Sequence, residues 1–220
     1  MNKKKAVNIL FSTLLPLVLY AVLFQPFGHT RITELTIHTT GALKAMGIAV
    51  LQLGIIIFAA VKLNGLSLDG TGLFSFKAKS LLHIILSLFF IALIYLASCI
   101  IISFISGVED VQDTLSVKLE APVWLLALMM LAVGYSEELF FRFYLVDTIG
   151  QVLGNKAAVF ISAVFFALGH LYQGYLAVIV IFFIGLGFQW IYSKYRSIHV
   201  NAIVHALFDV ISVQIGRAHV

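Results

Sequence analysis

The most informative residues of the chain are polar ones set in apolar surroundings. Ser136-Glu137-Glu138-Leu139-Phe140-Phe141-Arg142 places two carboxylates and a guanidinium close together in an otherwise apolar run. A charge at the centre of a bilayer helix costs about 2.5–3.5 kcal/mol on insertion scales, so three within a turn and a half require partners. Glu138 and Arg142 are spaced i,i+4 on one helical face, which predicts an ion pair. Glu137 lies about 100° round the helix from Glu138, off that face. The carboxylate that the pair does not use is the candidate general base. The plainer alternative has Arg142 snorkelling to the cytoplasmic end and both glutamates serving a structural network.

Two later apolar segments carry imidazoles. Phe166 and His170 are spaced i,i+4, as are His205 and Asp209. One histidine in a membrane helix serves most simply as a helix-to-helix hydrogen bond. Depth changes that reading, because a helix rises about 1.5 Å per residue. Counted from the ends of the apolar runs, Glu137 falls about 22 Å inward of Pro122, His205 about 12 Å from the opposite edge, and His170 about 15–20 Å from it. A glutamate and two histidines from three helices therefore share the inner half to the middle of the membrane.

Two chemistries fit such a cluster. In one, Glu137 deprotonates a water held by His170, while His205 and Asp209 stabilise the oxyanion that develops on a scissile carbonyl. In the other, His170 and His205 with a carboxylate bind a divalent metal, zinc being the usual choice, and leave one position open for water. Neither HExxH nor an HxxxH pair is present, so the metal alternative lacks its most specific signature. Both chemistries hydrolyse an amide within the membrane.

The elements that must position these groups follow from composition. Of 220 residues, 61% are apolar and 11% charged, with a mean hydropathy of +1.06. Soluble domains average about 45–50% apolar and 25% charged, so this chain lacks the polar side chains to cover a globule. Disorder is excluded on the same grounds. A nucleic-acid binder is excluded too, because the net charge of +4 comes from 14 basic and 10 acidic residues and not from a dense cationic face. Cys99 is the single cysteine, which rules out an intramolecular disulfide.

A span needs about 20 apolar residues. Runs at 6–27, 41–61, 80–106, 122–146, 157–171, 176–193 and 198–214 predict an all-α, polytopic bundle of about seven transmembrane helices, a single integral membrane domain over 1–214. The first run follows Lys3, Lys4 and Lys5 but is too long for a signal peptide and is followed by Gln25-Pro26-Phe27, not a small-residue cleavage site, so it reads as an uncleaved helix kinked at Pro16. Lysine and arginine set the orientation. Lys3, Lys4, Lys5, Lys62, Lys77, Lys79, Lys156, Lys194 and Arg196 fall on one side, which predicts a cytoplasmic N-terminus; Arg31 and Lys44 are the misfits. The loop 107–121 on the other side is acidic, with Glu109, Asp110, Asp113 and Glu120 against Lys118. The turn-rich segment 62–79 reads as the main cytoplasmic loop, and Gly185-Leu186-Gly187 as small-residue helix packing. Ile215-Gly216-Arg217-Ala218-His219-Val220 reads as a translated sequencing adapter. The expectation is a non-native scar with the true chain continuing beyond Gln214, and Arg217 and His219 are left out of any site.

Taken together, the motifs resemble a known family. EExxxR, FxxxH and HxxxN or HxxxD, on successive hydrophobic segments, form the signature of the CAAX-protease and bacteriocin-processing intramembrane endopeptidases, also called CPBP or Abi proteins. Here they read Glu137-Glu138-Leu139-Phe140-Phe141-Arg142, Phe166-Ala167-Leu168-Gly169-His170 and His205-Ala206-Leu207-Phe208-Asp209. The resemblance places the family core at about 122–214. It implies that Glu137 activates water, His170 assists it, and His205 and Asp209 form the oxyanion site or ligate metal. Glu138, Arg142 and Phe166 would give structural support. It further implies a multi-pass protein of a bacterial plasma membrane acting on a membrane-associated peptide or protein, prenylated or not, entering from the cytoplasmic side. Where the eukaryotic prenyl-protein endopeptidases carry Asn, this chain has Asp209. An anionic carboxylate donates nothing to an oxyanion, yet it orients a histidine or binds a cation.

The remaining polar residues have simpler expectations. His29, His38 and His83 read as solvated, and His199 as an interfacial anchor. Tyr172, Tyr175, Trp190, Tyr192 and Tyr195 read as an aromatic belt, and Asp147 as a partner of Lys156 or water. Two competing functions come from other classes. A non-proteolytic membrane scaffold or bacteriocin self-immunity factor would use the cluster only to hold helices together. A proton-coupled transporter would use Glu137 as a relay, but the sequence has neither inverted repeats nor paired interrupted helices.

Overall fold

The computed structural model describes Val7, residues 34–107 and residues 116–218. The expected first span, His29, Arg31 and the acidic Glu109, Asp110 and Asp113 lie outside the described residues.

Six helices form among the described residues, one for each apolar run from position 41 onward. They are α1 (Thr39–Leu63), α2 (Lys79–Ser106), α3 (Val123–Leu153), α4 (Asn155–Leu168), α5 (Tyr175–Tyr195) and α6 (Ile198–Ala218). Continuous apolar runs fold this way because a helix satisfies every backbone group within itself, which a hydrocarbon setting demands. The chain is therefore an all-α membrane bundle. Helices α1, α2, α3 and α5 are long and apolar enough to cross a bilayer. The run expected to span over 157–171 instead forms the 14-residue α4, about 21 Å long. That falls short of a hydrocarbon core of roughly 30 Å. A short 3-10 turn, Leu171–Gln173, then links it to α5. Helix α6 covers the expected 198–214 run and carries on to Ala218.

Helix α3 lies at the centre of the fold, against α1 on one side and α6 on the other. It is not a regular α-helix throughout: Leu139–Tyr144 form a π-turn directly after Glu137 and Glu138. The end of α1, Ala59–Leu63, is a second π-turn. Both face one core cluster that includes Ile56, Ala59, Phe140, Tyr144, Tyr192 and Ile198. Side chains stitch the widened turn to its neighbours. The Ser162 hydroxyl donates to the Phe141 carbonyl at 2.6 Å, and the Asn64 amide donates to the Tyr144 hydroxyl at 3.0 Å. Tyr192 is 1% exposed within this core, which corrects its expected place in an aromatic belt. Tyr175 and Trp190 are exposed, in keeping with theirs.

Small residues set the helix contacts. A Cβ at Gly185 would meet the Phe166 ring at 3.1 Å and one at Gly187 would meet Ile94 at 2.6 Å, so α5 closes on α4 and α2 through the expected glycine pair. Gly134 lies nearer the glutamate pair. A Cβ there would lie 2.9 Å from the Ala202 carbonyl and 3.5 Å from the His205 Cβ. Only a residue without a side chain lets α3 and α6 approach this closely just above the Glu137-Glu138 pair.

Two short strands, β1 (Glu34–Ile37) and β2 (Ser116–Leu119), pair in parallel, with Glu34 opposite Ser116 and Ile37 opposite Leu119. They tie the starts of α1 and α3 together, and the Ile37 carbonyl accepts from the backbone of both Glu120 and Ala121 at 3.0 Å. His38 and Glu120 join at 2.6 Å beside them, so His38 is exposed yet paired. The His38 ring, first by its hydrogen bond and then by its charge, holds the Glu120 carboxyl below its ordinary value, and Lys118 adds to this. His83, expected to be solvated, stacks on Tyr195 with ring centroids 4.1 Å apart.

Candidate active site

Three helices bring the motif residues together. Glu138 and Arg142 are both 0% exposed. Arg142 Nε donates to Oε2 of Glu138 at 3.0 Å, and Nη2 donates to Oε1 at 3.3 Å, which is the forked pairing that guanidinium geometry favours. The i,i+4 spacing thus forms the ion pair it predicts. Snorkelling does not occur: Arg142 points into the protein, its guanidinium 4.3 Å from the Phe166 ring centroid and 5.6 Å from that of Phe188. The Phe166 ring lies under the desolvated cation, in the geometry of a cation–π contact.

Glu138 has a second task. Asn201 Nδ2 donates to its Oε2 at 2.9 Å, and also to the Phe188 carbonyl at 2.9 Å. His205 Nδ1 donates to Oε1 of Glu138 at 3.0 Å. That bond puts a proton on Nδ1 and fixes the orientation of the ring. Its Nε2 faces two other carboxylates, 3.7 Å from Oε2 of Glu137 and 3.5 Å from Oδ2 of Asp209. Consecutive glutamates therefore address one histidine from its two nitrogens.

His170 follows the end of α4. The Phe166 carbonyl can only accept, so its 2.9 Å contact with Nδ1 of His170 puts the proton there and leaves Nε2 as the ring's acceptor. The His170 ring sits 5.0 Å from that of Phe166, which in turn meets the His205 ring at 5.8 Å. His170 and Asp209 are near enough for their charges to interact. Phe166 thus touches Arg142, His170 and His205, and His205 in turn reaches Glu137, Glu138 and Asp209.

Four contributors were not singled out as site residues from the sequence. Asn201 lies one turn before His205 on the same face of α6, and a buried amide four residues from a motif histidine is the signal that marks it. Gln52, an isolated amide in the α1 run, accepts from the Ser136 hydroxyl at 2.7 Å and so anchors the residue before Glu137. Tyr135 donates to Nδ1 of His199 at 2.6 Å, while Nε2 of His199 donates to the Leu73 carbonyl at 2.9 Å. His199 is therefore a bridge between α3 and the 64–78 loop, more than an interfacial anchor. Asp147 feels the charge of Arg196, where Lys156 or water was expected.

Metal coordination can be tested against the donor set. Among the described residues, no group of three or more His, Cys, Asp and Glu side chains is placed to hold a metal ion. The Phe166 ring stands against both imidazoles, and Glu138 is already committed to Arg142, Asn201 and His205. These residues do not fit a zinc centre.

Residues 119–211 match the family model described as type II CAAX prenyl endopeptidase Rce1-like. This part of the chain is similar to the Rce1-like family. The match runs from the end of β2 through α6 and contains all seven motif residues, while α1 and α2 lie outside it. It agrees with the CPBP resemblance of the three motifs. At the level of the family, an Rce1-like chain is a membrane-embedded protease of the CAAX type. No curated protein and no solved structure matches the chain.

Proposed function

We propose that the chain hydrolyses a peptide bond of a membrane-associated peptide or protein, with Glu137 as general base and without a metal. The observation that carries this is the division of labour between the two glutamates. Glu138 has both oxygens engaged by Arg142, Asn201 and His205. Glu137, in contrast, addresses Nε2 of His205 across 3.7 Å. That gap exceeds a hydrogen bond, yet one water oxygen at about 2.8 Å can touch both groups.

In this reading Glu137 takes a proton from water as the water oxygen bonds to the scissile carbonyl carbon. His170 accepts from the same water through Nε2 and orients it. His205, held by Glu138, faces the oxyanion as charge develops there, and Asp209 orients its ring. Glu137 then returns the proton to the departing amide nitrogen as the carbon–nitrogen bond breaks. The family description supports a prenylated CAAX box as substrate.

The test uses purified chain in nanodiscs with fluorescence-quenched CAAX peptides, prenylated and bare. Cleavage by the wild type, lost in Glu137→Gln with folded yield retained, is the expected result. Full turnover by Glu137→Gln would overturn the base assignment, and absence of cleavage by the wild type would favour a scaffold or immunity role.

A further inference from the structure

The lysine-rich end of the bundle carries a cluster that the chemistry at Glu137 does not use. Lys79 opens α2, and Lys194 stands one residue before the end of α5. His83 lies i,i+4 from Lys79, on the same face of α2. Its imidazole stacks on the Tyr195 ring, with centroids 4.1 Å apart and 18° between planes. The Lys194 ammonium stands 5.3 Å from the centroid of that same ring and 4.6 Å from that of Trp190. Tyr195 therefore gathers groups from both helices at one point of the α2–α5 seam.

Neither lysine is spent on a carboxylate. Both are exposed, and no ion pair joins either to an acid among the described residues. The acids at this end are otherwise engaged: Asp69 accepts from the Ser67 hydroxyl at 2.8 Å, and Asp147 feels the charge of Arg196. His83 makes no hydrogen bond among the described residues, so its ring has an N–H to give in either protonation state. Deeper in the seam the surface turns apolar. Trp190 lies about 6 Å further along α5 than Lys194, and Phe90 about 10 Å further along α2 than His83. The Phe90 and Trp190 rings meet with centroids 4.7 Å apart, and Trp190 is 49% exposed, so the pair is open to lipid. Donors at the mouth and aromatic rings beneath them match the order of groups in a phospholipid, headgroup first and then glycerol and acyl carbons. Charge selects among headgroups: a zwitterionic one brings a cation that the two ammonium groups repel, and an anionic one does not.

We infer that the α2–α5 seam binds an anionic phospholipid at this end, its phosphate held by Lys79, His83 and Lys194 and its glycerol and upper acyl carbons lying on Trp190 and Phe90. Helix α2 lies outside the residues that match the family model and α5 within them. The lipid clasps one to the other.

The chain has two tryptophans, so Trp124→Phe leaves Trp190 as the reporter of its own surroundings. That variant is placed in phosphatidylcholine vesicles with increasing mole fractions of dibrominated phosphatidylglycerol or, in parallel, dibrominated phosphatidylcholine, and quenching of Trp190 is measured. The expected result is association of phosphatidylglycerol about 25-fold tighter than that of phosphatidylcholine, at about fivefold for each lysine near the surface. Adding Lys79→Gln and Lys194→Gln should remove that preference. Quenching by brominated phosphatidylcholine should stay unchanged, the sign that α5 still meets lipid. Adding Lys62→Gln and Lys156→Gln instead, on α1 and α4 at the same end, should keep the preference. Equal quenching by the two lipids before any lysine is changed overturns the inference. A preference that survives Lys79→Gln with Lys194→Gln, or that is lost in Lys62→Gln with Lys156→Gln, also overturns it, in favour of diffuse surface charge. Displacement of the brominated phosphatidylglycerol by millimolar inorganic phosphate overturns it in favour of a free-anion site.

Discussion

Glu138 grips His205 by the ring nitrogen that faces away from Glu137, 3.0 Å from Oε1, while the same carboxylate is forked by Arg142. One buried acid thus neutralises a guanidinium and orients an imidazole. Glu138→Ala removes both at once and leaves Arg142 at 0% exposure with no counter-charge. Breaking a buried pair in this way costs about 3–5 kcal/mol. The expected outcome is a steep loss of folded protein and of thermal midpoint in detergent. Glu138→Gln, which keeps an acceptor in place, should fall between it and the wild type.

Chelation provides a second test. Among the described residues no donor set is placed to hold a metal, and the proposed reading has Glu137 as the base without one. Prolonged treatment with EDTA or 1,10-phenanthroline, followed by removal of the chelator, should leave peptide cleavage unchanged. Elemental analysis of the active protein should find no stoichiometric zinc. Loss of activity on chelation, restored by zinc, would sink the metal-free mechanism.

The short-range contacts of the polar residues were legible in the sequence because charge inside an apolar run is expensive, and the few residues that bear that cost are written as short-range spacings. Glu138 and Arg142 at i,i+4 predicted their own ion pair, and Phe166 its place beside His170. The six apolar runs from 41 onward likewise predicted six helices. What stayed hidden depends on distant partners. Nothing in Leu139–Tyr144 marks a π-turn, since the run has neither proline nor glycine; it becomes visible only when Ser162 and Asn64 bond to it. Tyr192 read as a belt residue because it lies near the end of α5, but the widened turns of α1 and α3 enclose it. Asn201 and Gln52 are ordinary polar residues until Glu138 and Ser136 arrive from another helix.

Gly134 offers a steric test of how finely the site is set. An alanine methyl there meets the Ala202 carbonyl at 2.9 Å, and backbone has no rotamer with which to yield. Overpacking of this kind costs about 1–3 kcal/mol. It also wedges α3 from α6 at the level of His205, and a displacement of about 1 Å can cost 100-fold in rate. Gly134→Ala should therefore lower kcat by at least about 10-fold while lowering the thermal midpoint by a few degrees.

Outside the membrane-spanning helices, Glu120 predicts a response to acid. Its carboxyl is held below the ordinary value of 4.5 by His38. A group whose value is lowered on folding contributes stability that is present above 4.5 and is lost as the pH falls through the lowered value. Amide exchange at β1 and β2, corrected for its intrinsic pH dependence, should be flat above pH 5 and rise as acid protonates Glu120. Glu120→Gln should abolish that rise.

The His199 bridge links the loop 64–78 to the helix that carries the glutamates. Tyr135 sits two residues before Glu137, and its hydroxyl and the Leu73 carbonyl occupy the two nitrogens of one imidazole. Removing the hydroxyl in Tyr135→Phe leaves Nδ1 of His199 without its donor while keeping the ring contact of 5.6 Å. A hydrogen bond of this kind contributes about 1 kcal/mol, or roughly a fivefold change in a local opening equilibrium. Hydrogen exchange should therefore speed up about fivefold in the loop around Leu73 in Tyr135→Phe and in His199→Ala. The double variant should show little more than either single change, because both cut the same chain of contacts. Additive effects would mean that the two residues hold the loop independently.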